Sequence, residues 1–230
     1  MHYSDTKKTI IAGIFLGIHF GLFFGAIKLT TISNATFLGT LAPIVTFIIE
    51  KFIFKREHPS ATIYGLSIAI IGAIIILSNN FNFSNQYTVG NILAVLCSIC
   101  IGLAFIISQN VRKKVGVVIF SRLLFSSAAI TLLIVAFFME INLFGFTNFE
   151  WVGLIYLGIV PTILGHGFMY FAVRYVSPTI VSSIPMGEPI IASILAWFLF
   201  NEIADLSIYI GGFITLLGLI IIVNNKEIYK

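Results

Sequence analysis

Along this chain, apolar runs of nearly constant length alternate with short polar breaks, and neither the 3.6-residue nor the 2-residue period of an amphipathic element persists inside them. A helix of about 20 apolar residues crosses a bilayer. Eight such runs can be cut out: Thr9–Leu29, Ser33–Phe54, Ala61–Ser78, Val89–Ser108, Val117–Met139, Glu150–Ala172, Val176–Phe200 and Leu206–Asn224. They are far longer than the roughly 10-residue strands of an outer-membrane barrel. The pattern predicts an all-α polytopic membrane protein with eight transmembrane helices, whose loops are too short to hold a soluble domain. The first run starts close to Met1 without a small-residue cleavage site after it, so it reads as a retained helix rather than a signal peptide.

Composition supports this: 59% of the 230 residues are hydrophobic and 10% are charged, and the mean hydropathy is +1.07. The net charge of +4 is scattered over the polar breaks, so it indicates topology rather than a nucleic-acid partner. With a cytoplasmic N-terminus, Lys7, Lys8, Lys51, Lys55, Arg56, Arg112, Lys113, Lys114, Arg122, Arg174, Lys226 and Lys230 all fall inside, and only Lys28 falls outside. That is the positive-inside arrangement of a multi-pass plasma-membrane protein with both termini cytoplasmic. On the other side, Phe81, Phe83, Tyr87, Phe144, Phe146, Phe149 and Trp151 supply an outer aromatic belt.

An internal repeat appears when His19–Asn79 is laid over Gly165–Asn225 at one constant offset. Gly21 then meets Gly167, Lys28 meets Arg174, Pro43 meets Pro189, Gly65 meets Gly211, Gly72 meets Gly218, and Asn79 meets Asn225. The predicted topology sets the two copies in opposite orientation, the inverted repeat on which many secondary transporters build a midplane site. The second copy has a helix pair upstream, Val89–Ser108 and Val117–Met139, with no counterpart in the first. The division is therefore 1–80, an incomplete repeat of three helices, and 81–230, a complete one of five.

The chemistry concentrates in few residues. Glu188 stands at the middle of Val176–Phe200, where a charge costs roughly 2.5 to 3.5 kcal/mol. A polar cavity or a bundle partner must offset that cost. Pro189 has no N–H to donate, which predicts that the carbonyl of Pro185 is left free at this depth. His19 and His166 lie near the middle of equivalent runs, suited either to proton relay or to an interhelical hydrogen bond, with Tyr170 one turn beyond His166. Pro43 and Pro161 break their runs near mid-depth. Arg122, about 7 Å into its helix at 1.5 Å per residue, is either a gate that attracts anions or a snorkelling anchor. Asn34, Ser182 and Ser183 are candidates for the pathway wall, or for ordinary interhelical glue.

Other features read structurally. Gly65, Gly72, Gly211 and Gly218 recur every seven positions and predict close helix packing. Cys97 and Cys100 form a CxxC inside an apolar helix and read as packing, with no metal or other cofactor expected. Glu57, among Lys55, Arg56 and His58, predicts an interfacial ion pair, and Glu202 follows its own helix at a similar position. No HExxH, GxSxG or GxxxxGK[ST] is present, which argues against an intramembrane enzyme and against ATP coupling within the chain.

In order along the chain, Leu41-Ala-Pro43, Glu57, Gly65 and Gly72, then Val89-Gly-Asn-Ile-Leu-Ala, Ser121-Arg-Leu, Leu157-Gly-Ile-Val-Pro-Thr-Ile-Leu-Gly165, Gly187-Glu-Pro189, Phe200-Asn-Glu202, Gly211 and Gly218 form a pattern. It resembles the EamA-like transporters of the drug/metabolite transporter superfamily. The resemblance covers nearly the whole chain and implies ten helices in two five-helix inverted repeats, of which the first two are missing here. It implies movement of small organic metabolites or drugs, often outward, without naming the substrate. The expectation is a secondary exporter working by alternating access, with Glu188, His166, Tyr170, His19, Pro189, Pro43 and Arg122 along the path of substrate or proton. The expected partners are a small-molecule substrate, a coupled proton, membrane lipid and a second copy in a homodimer. The rival expectation is a truncated or auxiliary subunit that cannot transport alone.

Overall fold

A computed structural model describes residues 1–77, 85–201 and 206–224. All of its regular elements are helical: α1 (Tyr3–Leu29), α2 (Ile32–Gly39), α3 (Ala42–Ile48), α4 (Ser60–Leu77), α5 (Thr88–Arg112), α6 (Val117–Phe138), α7 (Asn148–Leu157), α8 (Gly167–Ala172), α9 (Pro178–Ser183), α10 (Glu188–Phe200) and α11 (Leu206–Asn224). A π-helical turn, Ile49–Ile53, continues α3; a second, Gly158–His166, joins α7 to α8; a 3-10 turn, Ile184–Gly187, joins α9 to α10. Among the described residues six helical stretches are long and apolar enough to cross a membrane: Tyr3–Leu29, Asn34–Ile53, Asn85–Arg112, Val117–Phe138, Asn148–Ala172 and Leu206–Asn224. The chain is a polytopic helical membrane bundle. Of the other two expected runs, Ser60–Ile76 is apolar but shorter, and Val176–Phe200 divides into α9, the 3-10 turn and α10. The repeat partners Asn79 and Asn225, the belt residues Phe81 and Phe83, and Glu202 lie outside the described residues.

Small residues decide the tightest packing. A Cβ on Gly65 would lie 2.7 Å from the Gly218 carbonyl oxygen, and one on Gly218 would lie 2.5 Å from that of Gly65. Likewise a Cβ on Gly72 would meet the Gly211 oxygen at 2.6 Å, and one on Gly211 the Gly72 oxygen at 2.5 Å. So α4 and α11 touch backbone to backbone, as the seven-residue glycine spacing predicts. The offset that pairs Gly65 with Gly211 and Gly72 with Gly218 turns the first of these contacts into the second. On α1, Gly13 and Gly17 do the same against Leu124 and Ala128 of α6, whose carbonyl oxygens would lie 2.5 and 2.8 Å from the added Cβ atoms.

The polar breaks have local causes. Thr147 starts α7 with a capping box, its hydroxyl accepting from Glu150 N–H while the Glu150 carboxylate accepts from the Thr147 N–H. Pro43 falls in the first turn of α3, where its missing N–H costs no helical bond, and α2 ends just before it. The same logic corrects the expectation at Pro189. A helix restarts at Glu188, which places Pro189 in a first turn, and the Pro185 carbonyl accepts from the Glu188 N–H instead of standing free.

Candidate functional site

Within the bundle, α1, α2, α5, α6, the π turn of Gly158–His166 and the start of α10 enclose a cavity of 520 Å³. Its size falls within the roughly 300 to 1,000 Å³ of small-molecule sites. Aromatic side chains, Phe20, Phe23, Phe105 and Phe125 among them, form much of the wall, and its polar groups include His19, Thr36, Thr162, His166, Ser182 and Glu188. No Lys or Arg stands among the described lining residues.

Proline shapes one wall. Pro161 cannot donate, and the π turn around it widens the helix by one residue per turn. Side chains take the carbonyls this leaves: Thr162 Oγ1 donates to Leu157 O at 2.9 Å, and His166 Nδ1 lies 3.0 Å from Pro161 O. Across the cavity, His19 Nδ1 lies 3.1 Å from Cys97 O. A carbonyl only accepts, so each of these bonds is made by the tautomer with the proton on Nδ1, in which Nε2 is left to take up another. The two rings stand 6.1 Å apart, and Phe20 meets His166 edge-on at 5.1 Å. Cys97 is therefore more than filler, since its carbonyl and its Sγ, 3.0 Å from the same nitrogen, fix the His19 ring.

The structure brings His19, His166 and Glu188 to one cavity. Glu188 is exposed there at the start of α10, and no described residue hydrogen-bonds its carboxylate. Tyr170 lies elsewhere: fully buried, it packs on Phe105 at 5.1 Å and Phe120 at 5.7 Å, beneath the cavity. Pro43 does not line the cavity, but its neighbour Ala42 does. Arg122 is exposed and outside the cavity, as a snorkelling anchor is. Of the wall candidates, Ser182 lines the cavity and pairs with Thr46 Oγ1 at 3.0 Å, whereas Asn34 joins Thr30 and Asn91 in a buried cluster.

The closure of the Lys/Arg-rich end rests on residues that carry no signature in the sequence. Glu50 is fully buried because the π turn after α3 rotates it inward. It accepts from Arg56 Nη1 at 2.5 Å, from the Thr179 N–H at 3.1 Å and from Thr179 Oγ1 at 2.6 Å. The same Arg56 nitrogen reaches Gln109 Oε1 at 2.5 Å, so one network ties α3, α5 and α9 together. The ion pair expected of Glu57 is thus made by Glu50, while Glu57 is exposed. Arg112, read from sequence as one more inside charge, is 1% exposed. Its Nε donates to Tyr170 O at 2.9 Å, Nη1 donates to Val115 O, and the guanidinium covers the Phe120 ring. Glu50 and Arg112 next to loop lysines gave no sequence signal of burial.

The cavity residues include positions on the second half of α1, the first half of the Asn34–Ile53 span and Leu154 to Met169 of the Asn148–Ala172 span. The first two sets lie away from the Lys/Arg-rich end, and the third begins away from it and reaches toward it at Met169. Between the cavity and that end stand Tyr170, Phe120, Arg112 and the Glu50–Arg56 network. The arrangement is a chamber closed at one end of the bundle.

The profile of the EamA-like transporter family matches residues 3–78 and 88–224. The chain belongs to the EamA-like transporter family. Related proteins include an uncharacterized transporter of Archaeoglobus fulgidus, 25% identical over 201 residues, which make up 86% of this chain and 70% of that protein. The uncharacterized transporter YdfC of Bacillus subtilis is 24% identical over 196 residues, 83% of this chain and 62% of its own length. An uncharacterized transporter of Synechocystis is 22% identical over 228 residues, 93% of this chain and 64% of that one. This EamA-like chain thus spans about two thirds of the length of these relatives. A solved crystal structure shares the fold, with a TM-score of 0.79 at 17% identity over 97% of this chain and 79% of that chain. Family membership and the six apolar helices make the chain a multi-pass membrane protein of a transporter family, and these relatives are named as transporters.

Proposed function

We propose that this transporter moves a small organic solute out of the cell by alternating access, with the cavity of His19, His166 and Glu188 as its midplane site and a proton as the coupled ion. The observation that carries the reading is the joining of two imidazoles and a carboxylate in one chamber that is closed at the Lys/Arg-rich end. Positive-inside topology assigns that end to the cytoplasm, so the conformation is the one open outward. Opening inward then requires the Glu50–Arg56–Thr179 network to part. The exchange of glycine contacts between α4 and α11 under the repeat offset supports two inverted repeats, 1–80 and 81–230, rocking about that seam. In this reading Tyr170, Pro43, Pro189 and Arg122 shape or flank the path and do not touch the solute.

The test is proton movement in proteoliposomes carrying an internal pH dye, challenged with a panel of amino acids, organic amines and drugs. The wild type is expected to move protons in response to at least one solute, and Glu188→Gln to lose that response while expressing normally. Unchanged proton movement in Glu188→Gln overturns the coupling role. A second reading, that transport needs a second copy or another subunit, is favoured by the Asn148–Ala172 span, none of whose most apolar window is buried in the single chain. A crosslink between single cysteines placed on that span in two copies supports it, and a monomer active in proteoliposomes contradicts it.

A further inference from the structure

A second recess, of 420 Å³, shares no lining residue with the cavity above. It sits where the π turn of Ile49–Ile53 ends and α4 begins at Ser60, at the end of the Asn34–Ile53 span and therefore at headgroup depth. Its wall consists of Lys51, Lys55, Arg56, Glu57, His58 and Ile63. Three cations thus face one carboxylate. Lys51 Nζ is held over the rings of Phe47 and Phe52, 5.4 and 5.8 Å from their centroids. Lys55 takes a left-handed φ of 51°, a conformation unfavourable for a lysine, at the turn between the span and Arg56.

The decisive side chain is His58. It is 1% exposed, and neither ring nitrogen has a hydrogen-bond partner. Its Nε2 lies 3.9 Å from Glu50 Oε2, too far to bond, and Phe47 covers the ring at a centroid distance of 5.1 Å. Buried polar nitrogens without partners indicate a missing group. A group with several acceptor oxygens and negative charge satisfies the His58 N–H and two lysines together. Around the recess Phe52, Ile53, Phe54 and Tyr64 are exposed, an apolar surface on which acyl chains can lie.

We propose that this recess binds the phosphate of an anionic phospholipid, with Lys51, Lys55 and His58 on the headgroup and the acyl chains along Phe52, Ile53 and Tyr64. Arg56 belongs to both the recess and the buried network, since its Nη1 holds Glu50 and Gln109. A phosphate in the recess therefore competes with Glu50 for the guanidinium and loosens the closure of the Lys/Arg-rich end. The lipid acts on the state of the bundle without entering the cavity.

The test is native mass spectrometry of the detergent-purified chain titrated with phosphatidylglycerol, with phosphatidylcholine, or with inorganic phosphate. Near an anionic surface each lysine contributes roughly 1 kcal/mol, so Lys51→Gln with Lys55→Gln is expected to weaken phosphatidylglycerol binding about 30-fold, and Lys55→Gln alone about fivefold. The double variant Lys7→Gln, Lys8→Gln removes equal charge from exposed positions on the first turns of α1 and is expected to bind as the wild type does. Phosphatidylcholine is expected to bind weakly to every form. Equal binding by all forms, or equal loss in both double variants, overturns the site. Inorganic phosphate binding as tightly as phosphatidylglycerol overturns the lipid assignment.

Discussion

Replacing Arg56 by Met removes the cation of the buried network while keeping most of its aliphatic volume. Glu50 is fully buried and Arg56 is 22% exposed at the side chain. Stranding a buried carboxylate costs about 3 to 5 kcal/mol. The Thr179 N–H and hydroxyl, at 3.1 and 2.6 Å, remain to hold Glu50, and Arg56 is partly wet, so the lower end applies, about 3 kcal/mol. For a chain of this size 1 kcal/mol corresponds to about 2–4 °C, which puts the fall in melting temperature at about 6–12 °C. The assay is thermal unfolding in lipid nanodiscs, followed by intrinsic fluorescence. Glu50→Gln with Arg56→Met, which leaves no buried charge, is expected to recover much of the loss. The exposed Arg122→Gln is expected to change stability by less than about 0.5 kcal/mol. An Arg56→Met protein melting with the wild type, or a double variant whose loss is the sum of the singles, refutes the buried pair.

Two further outcomes follow from packing and titration. Gly72→Ala drives a Cβ to 2.4 Å from Thr215 N, against backbone that cannot yield, and is expected to abolish monodisperse protein in size-exclusion chromatography. Gly153→Ala, with nothing within 4 Å and a helical site on α7, is expected to be tolerated or to stabilise by about 0.5–1 kcal/mol. Burial holds His58 below its usual 6.5, with Arg56 and Lys51 acting the same way and Glu50 opposing them. The unfolded chain then takes up a proton first as pH falls, so the stability tied to neutral His58 is complete above about pH 6.5 and is lost below it. Melting curves of His58→Gln are expected to fall less steeply than those of the wild type between neutral and mildly acid pH, and parallel curves would contradict this.

The parts of this molecule legible in its sequence are those set by hydropathy and by backbone contact. Spans of apolar residues must be helical, since no other backbone satisfies itself in lipid, and glycines every seven residues foretold the α4–α11 seam because only glycine permits a carbonyl at 2.5 Å from a Cβ position. The cavity was partly legible: a carboxylate at Glu188 and histidines at His19 and His166 are costly in a membrane wherever they point. What escaped the sequence depends on rotation about a helix axis. Glu50 faces inward only because a π turn adds a residue after α3, and nothing in Ile49–Ile53 announces that turn. Helical spacing groups Tyr170 with His166, yet the two side chains face different surroundings, the ring packing on Phe105 and Phe120 and the imidazole lining the cavity. The break at Ile184–Gly187 follows from two prolines, and its outcome, a helix restarting at Glu188 rather than a kink, depends on where the next hydrogen-bonded turn closes.

The most direct test of a chamber closed at one end is side-specific labelling of Thr36→Cys, a cavity-wall position, in a Cys97→Ser, Cys100→Ser background. A membrane-impermeant maleimide is applied to right-side-out and to inverted vesicles. The account predicts labelling from the outer face alone, with labelling from the cytoplasmic face appearing once Arg56→Met is added. Equal labelling from both faces with Arg56 intact, or none from either, contradicts it.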